Sequence, residues 1–177
     1  MIDWENLARR VGATLEGPTA SGATEHGSSG LARRALEQVL DASEWIAAVD
    51  HYVERRPGSE LVRSVLWLVH PWPAMERCRE IAQTSVDVET RRCAVELLRV
   101  VADDRALPWM SEFLQDGDPL VELWAAGVVD QLLFAGLVEE EQCKVLLDAM
   151  EHHGNSLVRQ VYTDMRASDE DDHIDEA

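Results

Sequence analysis

Three segments of the chain open with the same short pattern, an apolar pair followed by a charged residue. The copies are Leu61-Val62-Arg63, Leu120-Val121-Glu122 and Leu157-Val158-Arg159, and residues 88–91 form a related opening between the first two. The charged residues of the four openings are separated by 28, 31 and 37 residues in chain order. Repeats of this length are typical of units made of two helices, which bury their apolar faces against neighbouring units.

Apolar residues recur at helical spacing throughout these units, and turn residues divide each unit into two helices. The first helices are predicted at 60–70, 88–101, 119–134 and 156–166, and the second helices at 74–84, 105–115 and 139–152. Earlier helical periods cover 31–40 and 45–53, and no strand pattern competes with them. Asp118 followed by Pro119 is a sound helix start, because aspartate caps a free amide and proline has none.

The helix predicted at 119–134 is apolar on nearly every side, so it should be the central and most buried one. Gly127 lies in its interior, where glycine costs about 1 kcal/mol of helix propensity relative to alanine. We therefore expect Gly127 to permit the close approach of a neighbouring helix.

The ends of the chain differ in composition from its middle. Residues 1–15 predict a short amphipathic helix that uses Ile2, Leu7, Val11 and Leu15, and residues 17–30 have the composition of a flexible linker or a loop without helix. The acidic stretch 168–177 is predicted to be a disordered tail. We expect residues 1–30 as an N-terminal segment, 31–167 as the repeat domain and 168–177 as the tail.

The repeats resemble HEAT-type α-solenoid repeats. The resemblance rests on the segments 104–108 and 113–118, together with Val121 and 124–126, and it is specific over 86–134 and looser over 59–85 and 135–166. It implies an all-α fold, a right-handed α-solenoid of stacked antiparallel helix pairs in a single domain. Such repeats commonly place an arginine where Glu122 stands here, and this arginine often joins an aspartate ladder between units, so the ladder should be incomplete.

Charge limits the kind of partner. The chain has 34 acidic and 16 basic residues and a formal net charge of −18. Such a field repels nucleic acid and attracts a basic protein. There is no uninterrupted apolar stretch of membrane-spanning length and no apolar signal core at the N-terminus, so we expect a cytoplasmic protein that does not bind a membrane.

No sequence motif for catalysis, a cofactor or a metal is present. Cys78, Cys93 and Cys143 are widely separated and lie among apolar residues, which favours core positions over a disulfide or a metal site. His152 and His153 are adjacent on a helix and point in different directions, so a joint metal site is not expected. We predict a protein that is not an enzyme and needs no cofactor.

Six tryptophans are the first candidates for binding anchors, because tryptophan is enriched at interfaces. Trp45, Trp67 and Trp124 lie on apolar helix faces and are predicted to be core residues. Trp72, in a Pro-Trp-Pro turn, and Trp109, which follows Pro108, are the better interface candidates.

In HEAT-like stacks the second helices usually line the concave face, so the resemblance places the binding surface on their outward residues. The acidic residues of this surface are Glu112 and Asp116 in one unit and Glu139, Glu140, Glu141, Asp148 and Glu151 in the next. They are suited to contacts with lysine and arginine. The alternative is that Glu139 to Glu141 only favour a helix N-terminus and keep the protein in solution.

Three functions remain open on the sequence. In size, charge and architecture the chain is similar to bacterial immunity proteins of HEAT-like architecture, which implies that it neutralises a basic toxin domain by covering the toxin's functional surface. A general scaffold or assembly factor with the same repeats is the alternative. A helical-repeat enzyme, such as a lyase or a glycosylase, is a third possibility, which would require a cleft with converging acids.

Overall fold

The structure is a computed structural model that describes residues 4–12, 14–15, 24–25 and 28–172. The chain divides into two compact units, Met1–Ala74 and Met75–Ala177. In the described ranges, the regular structure of both units is helical apart from one very short strand pair in the first. None of the helices in the described ranges has the length and apolar character needed to span a bilayer.

The described residues of the first unit form four helices and two short strands. They are α1 (Trp4–Val11), β1 (Thr14–Leu15), β2 (Thr24–Glu25), α2 (Ser29–Val39), α3 (Ala42–Val53) and α4 (Ser59–Val69), and α5 (Trp72–Thr84) begins here. The strands pair antiparallel, with Thr14 opposite Glu25 and Leu15 opposite Thr24.

Two predictions for the N-terminal segment need correction, while the burial of Leu7 and Val11 is confirmed. Leu15 lies in β1 rather than in a helix, and a two-residue strand is too short to leave a periodic signal. Helix α2 starts before Leu31 because Ser28 caps it, its side chain accepting the N–H of Leu31 at 3.1 Å. Ile2 and most of the predicted linker lie outside the described residues.

The core of the first unit forms where α4 contacts α2 and α3. Its buried side chains include Trp45, Val49, Tyr52, Leu66 and Val69. The prediction of a core position is confirmed for Trp45 but wrong for Trp67, which is 57% exposed. Helix α4 is apolar on several faces, and its buried face is the one that carries Leu66 and Val69.

The second unit follows the predicted helix pairs closely. After α5 it contains α6 (Val88–Val101), a 3₁₀ helix (Asp104–Trp109), α7 (Met110–Phe113), α8 (Pro119–Phe134), α9 (Glu140–Glu151) and α10 (Ser156–Asp172). The single helix predicted over 105–115 is wrong. Pro108 lies inside the 3₁₀ helix, and since proline cannot donate the α-helical hydrogen bond, only four residues of α-helix follow.

Helix α10 also differs from its prediction. Its backbone is helical through Asp172, so the disordered tail predicted from residue 168 does not begin there. Residues 173–177 lie outside the described residues.

Helix α8 is the centre of the second unit, as its apolar sequence predicted. It contacts α6 and α10 most extensively and also touches α7, α9 and the 3₁₀ helix. Gly127 lies close against α6, because a Cβ built there would be 3.0 Å from Cδ of Arg99, which is tighter than an ordinary van der Waals contact. The glycine therefore makes room for an arginine side chain of the neighbouring helix. Cys78, Cys93 and Cys143 are buried, which confirms them as core residues.

Candidate functional site

The turn before α8 brings two of the unit's acids together. Asp118 caps the helix, and its Oδ1 accepts the N–H groups of Leu120 and Val121, both at 3.1 Å. Gly117 has a φ of 90°, a conformation that strains any residue with a Cβ. The Asp116-Gly117-Asp118 turn therefore has a fixed shape that directs both carboxylates toward α6.

Two arginines of α6 bind these carboxylates. Arg91 pairs with Asp116, and Arg92 donates to Asp118 through Nε at 3.0 Å and through Nη2 at 2.7 Å. The Arg92 guanidinium, helped by the capped amides and opposed by partial burial, lowers the pKa of Asp118 to about 2. The result is a rung of the arginine–aspartate ladder that the repeat resemblance implied.

The next rung of the ladder has different chemistry. Where the other openings have arginine, Glu122 accepts the N–H of Gly117 at 3.2 Å and Nδ2 of Asn155 at 2.9 Å. Asn155 also donates to the carbonyl of Pro119 at 2.8 Å. Arg159, the following arginine of the pattern, donates to carbonyls of its own turn, including Gly154 at 3.0 Å. The arginine ladder is thus interrupted, and an amide–carboxylate contact replaces it.

Trp109 and Glu112 belong to an internal cluster. Trp109 is only 8% exposed, and the guanidinium of Arg79 lies over its ring at 4.9 Å from the centroid. Glu112 accepts from Nε2 of Gln83 at 2.7 Å and from Arg79 at 3.2 Å, and these two donors hold its pKa below the usual range. The prediction of Trp109 as an interface anchor is therefore wrong, because α5 covers the indole.

A polar cleft of about 450 Å³ lies beside this cluster, with Gln83, Ser85, Glu112 and Asp116 in its walls. Its charged groups already have partners, since Asp116 pairs with Arg91 and Glu112 is bound by Arg79 and Gln83. A carboxylate with a lowered pKa is a poor proton donor near neutral pH. Across the ranges that the structure describes, no three His, Cys, Asp or Glu side chains converge on a possible metal position.

The predicted acids at the start of α9 have structural partners. Glu139 precedes the helix, and Oε1 of Gln142 accepts its backbone N–H at 2.7 Å, one half of a capping box. Glu140 accepts from Arg166 of α10 at 2.7 Å, and this arginine lowers the carboxyl pKa. Stabilisation of the helix start, the alternative considered for these residues, is thus part of their role.

The remaining acids of α9 share one exposed face. Glu141, Asp148 and Glu151 are all exposed, and their spacing of seven and three residues, with Lys144 between them, places them along one side of the helix. This face also carries Val145, which is 79% exposed. It combines negative charge with apolar surface.

Trp72 is the first residue of α5 and belongs to the first unit. It is half-buried, and its backbone N–H donates to Oε1 of Glu37 at 2.8 Å. Trp124, predicted as core, is also half-buried, with Arg99 at 5.7 Å from its ring centroid.

A second cavity, of about 340 Å³, was not predicted from the sequence; α8, α9 and α10 enclose it in part. Asp130 and Arg166 line it together with Glu139 and Glu140. One signal was available, because Asp130 is the one charged residue between Leu123 and Val138. An acid in so apolar a stretch calls for an explanation.

Comparisons with known proteins agree with this architecture. The family of HEAT repeats matches residues 75–164, which covers the second unit from α5 into α10. Neither the curated proteins nor the solved structures gave a significant match. Because the matched region spans just over half of the 177 residues, the chain belongs to the HEAT-repeat family.

Proposed function

We propose that this protein is a non-enzymatic binding module whose partner is a basic protein. HEAT repeats generally serve as non-catalytic scaffolds for protein–protein interaction, since stacked helix pairs leave a long flank exposed. The observation that carries the proposal is the exposed face of α9 with Glu141, Asp148 and Glu151. A net charge of −18 adds a long-range field that speeds encounter with a cationic surface.

The proposal includes the arrangement of the surface. We place the helix pairs in a right-handed solenoid, with the second helices α7 and α9 along the concave side. Glu112 of α7 and Asp116 of the following turn are engaged by Arg79 and Arg91, so they contribute to the negative field more than to direct contacts. On α9 the exposed acids make the contacts, and Val145 provides apolar area beside them.

In its concrete form, the proposal is that this is an immunity protein, which neutralises a basic bacterial toxin by covering the toxin's functional surface. Small size, strong acidity and HEAT architecture support it. We place this activity in the cytoplasm, where the three free cysteines fit a reducing environment.

The first test identifies the partner and asks what it does. The tagged protein is used to capture partners from a lysate of its native organism at about 50 mM and about 500 mM salt, which separates electrostatic from apolar binding. Each captured protein is identified by mass spectrometry and expressed alone and together with this chain. A partner that is toxic alone and harmless in the pair supports immunity. A harmless, abundant complex supports the scaffold instead.

The second test locates the surface with purified components. Glu141→Lys combined with Asp148→Lys should slow association about tenfold at low salt, with much less effect at high salt, because the change acts on charge steering. The matched control is Glu76→Lys with Asp104→Lys, two exposed acids of the same unit outside this face. Equal slowing in both variants would assign the effect to net charge and remove α9 from the proposal.

A further inference from the structure

The cavity between α8, α9 and α10 combines apolar walls with an acid, Asp130, that forms no ion pair among the described residues. Leu133, Val138, Leu147 and Met165 form its apolar lining, and Phe134 stands at its rim with 87% of its surface exposed. At about 340 Å³ the space is within the usual size range of ligand pockets. It is therefore large enough for a side chain of a partner.

The acidic groups around the cavity differ in whether they have a binding partner. Glu140 is paired with Arg166, as described above, and Glu139 is exposed to solvent. Asp130 is half-buried, and among the described residues no group donates a hydrogen bond or forms an ion pair with its carboxylate. Burial raises its pKa, with Asp164 of α10 acting in the same direction and Arg99 of α6 opposing it.

The electrostatic effect of Arg99 does not supply this carboxylate with a direct partner. Arg99 lies along Gly127 and over the ring of Trp124, which holds its guanidinium on the α6 side of α8. A half-buried carboxylate without a partner costs free energy, and an added cation in the cavity would recover part of it.

We propose that this cavity receives an arginine side chain of the protein partner, with Asp130 as the acceptor and the apolar walls around the aliphatic stem. The inference rests on the proposed function and names one contact of it. Arginine suits the lining better than lysine does, because a guanidinium is weakly hydrated, forms a fork of hydrogen bonds with a carboxylate and stacks on aromatic rings such as Phe134. Asp130, Glu139 and Glu140 make the site net negative even with Arg166 present.

The test uses a small probe, so that it does not depend on identifying the partner. Nα-acetyl-arginine amide is titrated into the isotope-labelled full chain, and NMR shifts of the methyl groups of Leu133 and Met165 are followed. We expect binding on the order of millimolar, as is usual for a single side chain. The shifts should be at least about threefold smaller with Nα-acetyl-citrulline amide, which has nearly the same shape and no charge.

Variants assign the binding to the cavity. Asp130→Asn should weaken binding of the arginine probe by a factor of about five to ten, because one charge-assisted contact is lost. Met165→Phe, which narrows the cavity without changing charge, should weaken it as well. Asp104→Asn, the same change at an exposed site outside the cavity, should leave binding unaltered.

Several results would overturn the arginine pocket. The first is the absence of shifts at about 100 mM arginine probe, far above a millimolar dissociation constant. The others are equal binding of the citrulline probe, stronger binding of Nα-acetyl-lysine amide, or unchanged binding of the arginine probe to Asp130→Asn. None of these would affect capture of a basic partner or its sensitivity to charge reversal on α9. Conversely, a probe that binds while no basic partner is captured would support the pocket and contradict the proposed function.

Discussion

The two ends of α8 hold their carboxylates in opposite ways. At its start, Asp116 and Asp118 are each bound by an arginine of α6, and the pKa of Asp118 falls to about 2. Near its other end, Asp130 is half-buried without an ion pair among the described residues, and its pKa is raised. The comparison distinguishes acids that stabilise the repeat stack from an acid that remains able to accept a ligand.

The largest predicted effect concerns the start of α8, where arginines of α6 bind Asp116 and Asp118. Asp118→Ala removes the cap of α8 and the partner of Arg92 together, so we expect a loss of about 2 kcal/mol in the free energy of unfolding. Asp118→Asn keeps a residue that caps well and should lose only about half as much. Urea unfolding at pH 7, followed by circular dichroism, measures both. Equal losses would assign the whole effect to the ion pair with Arg92, because asparagine keeps the cap but carries no charge.

The same variant has a defined pH dependence. The pKa of Asp118 is lowered from 3.8 to about 2 on folding, so its contribution is complete above pH 3.8 and is lost as the pH falls through about 2. The difference in stability between the natural protein and Asp118→Asn should therefore narrow over that interval. A constant difference would mean that the ion pair with Arg92 contributes little.

The next largest effect is predicted for Gly127, in the middle of α8. Alanine at position 127 gains about 1 kcal/mol of helix propensity but places its Cβ 3.0 Å from Cδ of Arg99. We expect Gly127→Ala to be close to neutral in the natural protein and to stabilise by about 1 kcal/mol in an Arg99→Ala background. Thermal unfolding of the four proteins of this cycle measures the coupling, and identical effects in both backgrounds would exclude it.

The smallest predicted effect is a stabilisation of the protein when Asp130 is replaced. Asp130→Asn should stabilise the protein at pH 7, by about 0.5 kcal/mol, because it removes a charge that folding desolvates. The folded pKa is raised, so the destabilising effect of the charge is present above that pKa and vanishes below the unfolded value of 3.8. Unfolding at pH 7 and pH 3.5 tests this, with Asp104→Asn as control. Destabilisation at pH 7 would place Asp130 among the structural acids.

The sequence predicts the start of α8 far better than the region around Asp130. The bounds of α6 and α8 follow from Asp87 and Asp118, which cap them and stand directly before apolar helical periods. Capping is a local effect, so it can be recognised from a few neighbouring residues. The helix predicted at 105–115 fails for an equally local reason, the proline at position 108.

The candidate site depends on contacts between helices, and these leave weaker signals. Helical periodicity predicted Trp67 in the core, and the position after Pro108 predicted Trp109 at an interface, whereas their exposures are 57% and 8%. Each outcome depends on which neighbour covers a given face of the helix. The cavity beside Asp130 also needs Leu147 and Met165, which come from two other helices, so no local pattern encodes it.

The contacts between turns also set an order in which the second unit should open. Asn155 and His153 join the last helix pair to the rest through bonds to Glu122, Pro119 and Leu114, in contrast to the two guanidinium–carboxylate pairs that join α6 to the turn before α8. In a linear array, the pair held by the weaker junction separates first. Amide hydrogens of α9 and α10 should therefore exchange with solvent as a group, while those of α6 and α8 remain protected.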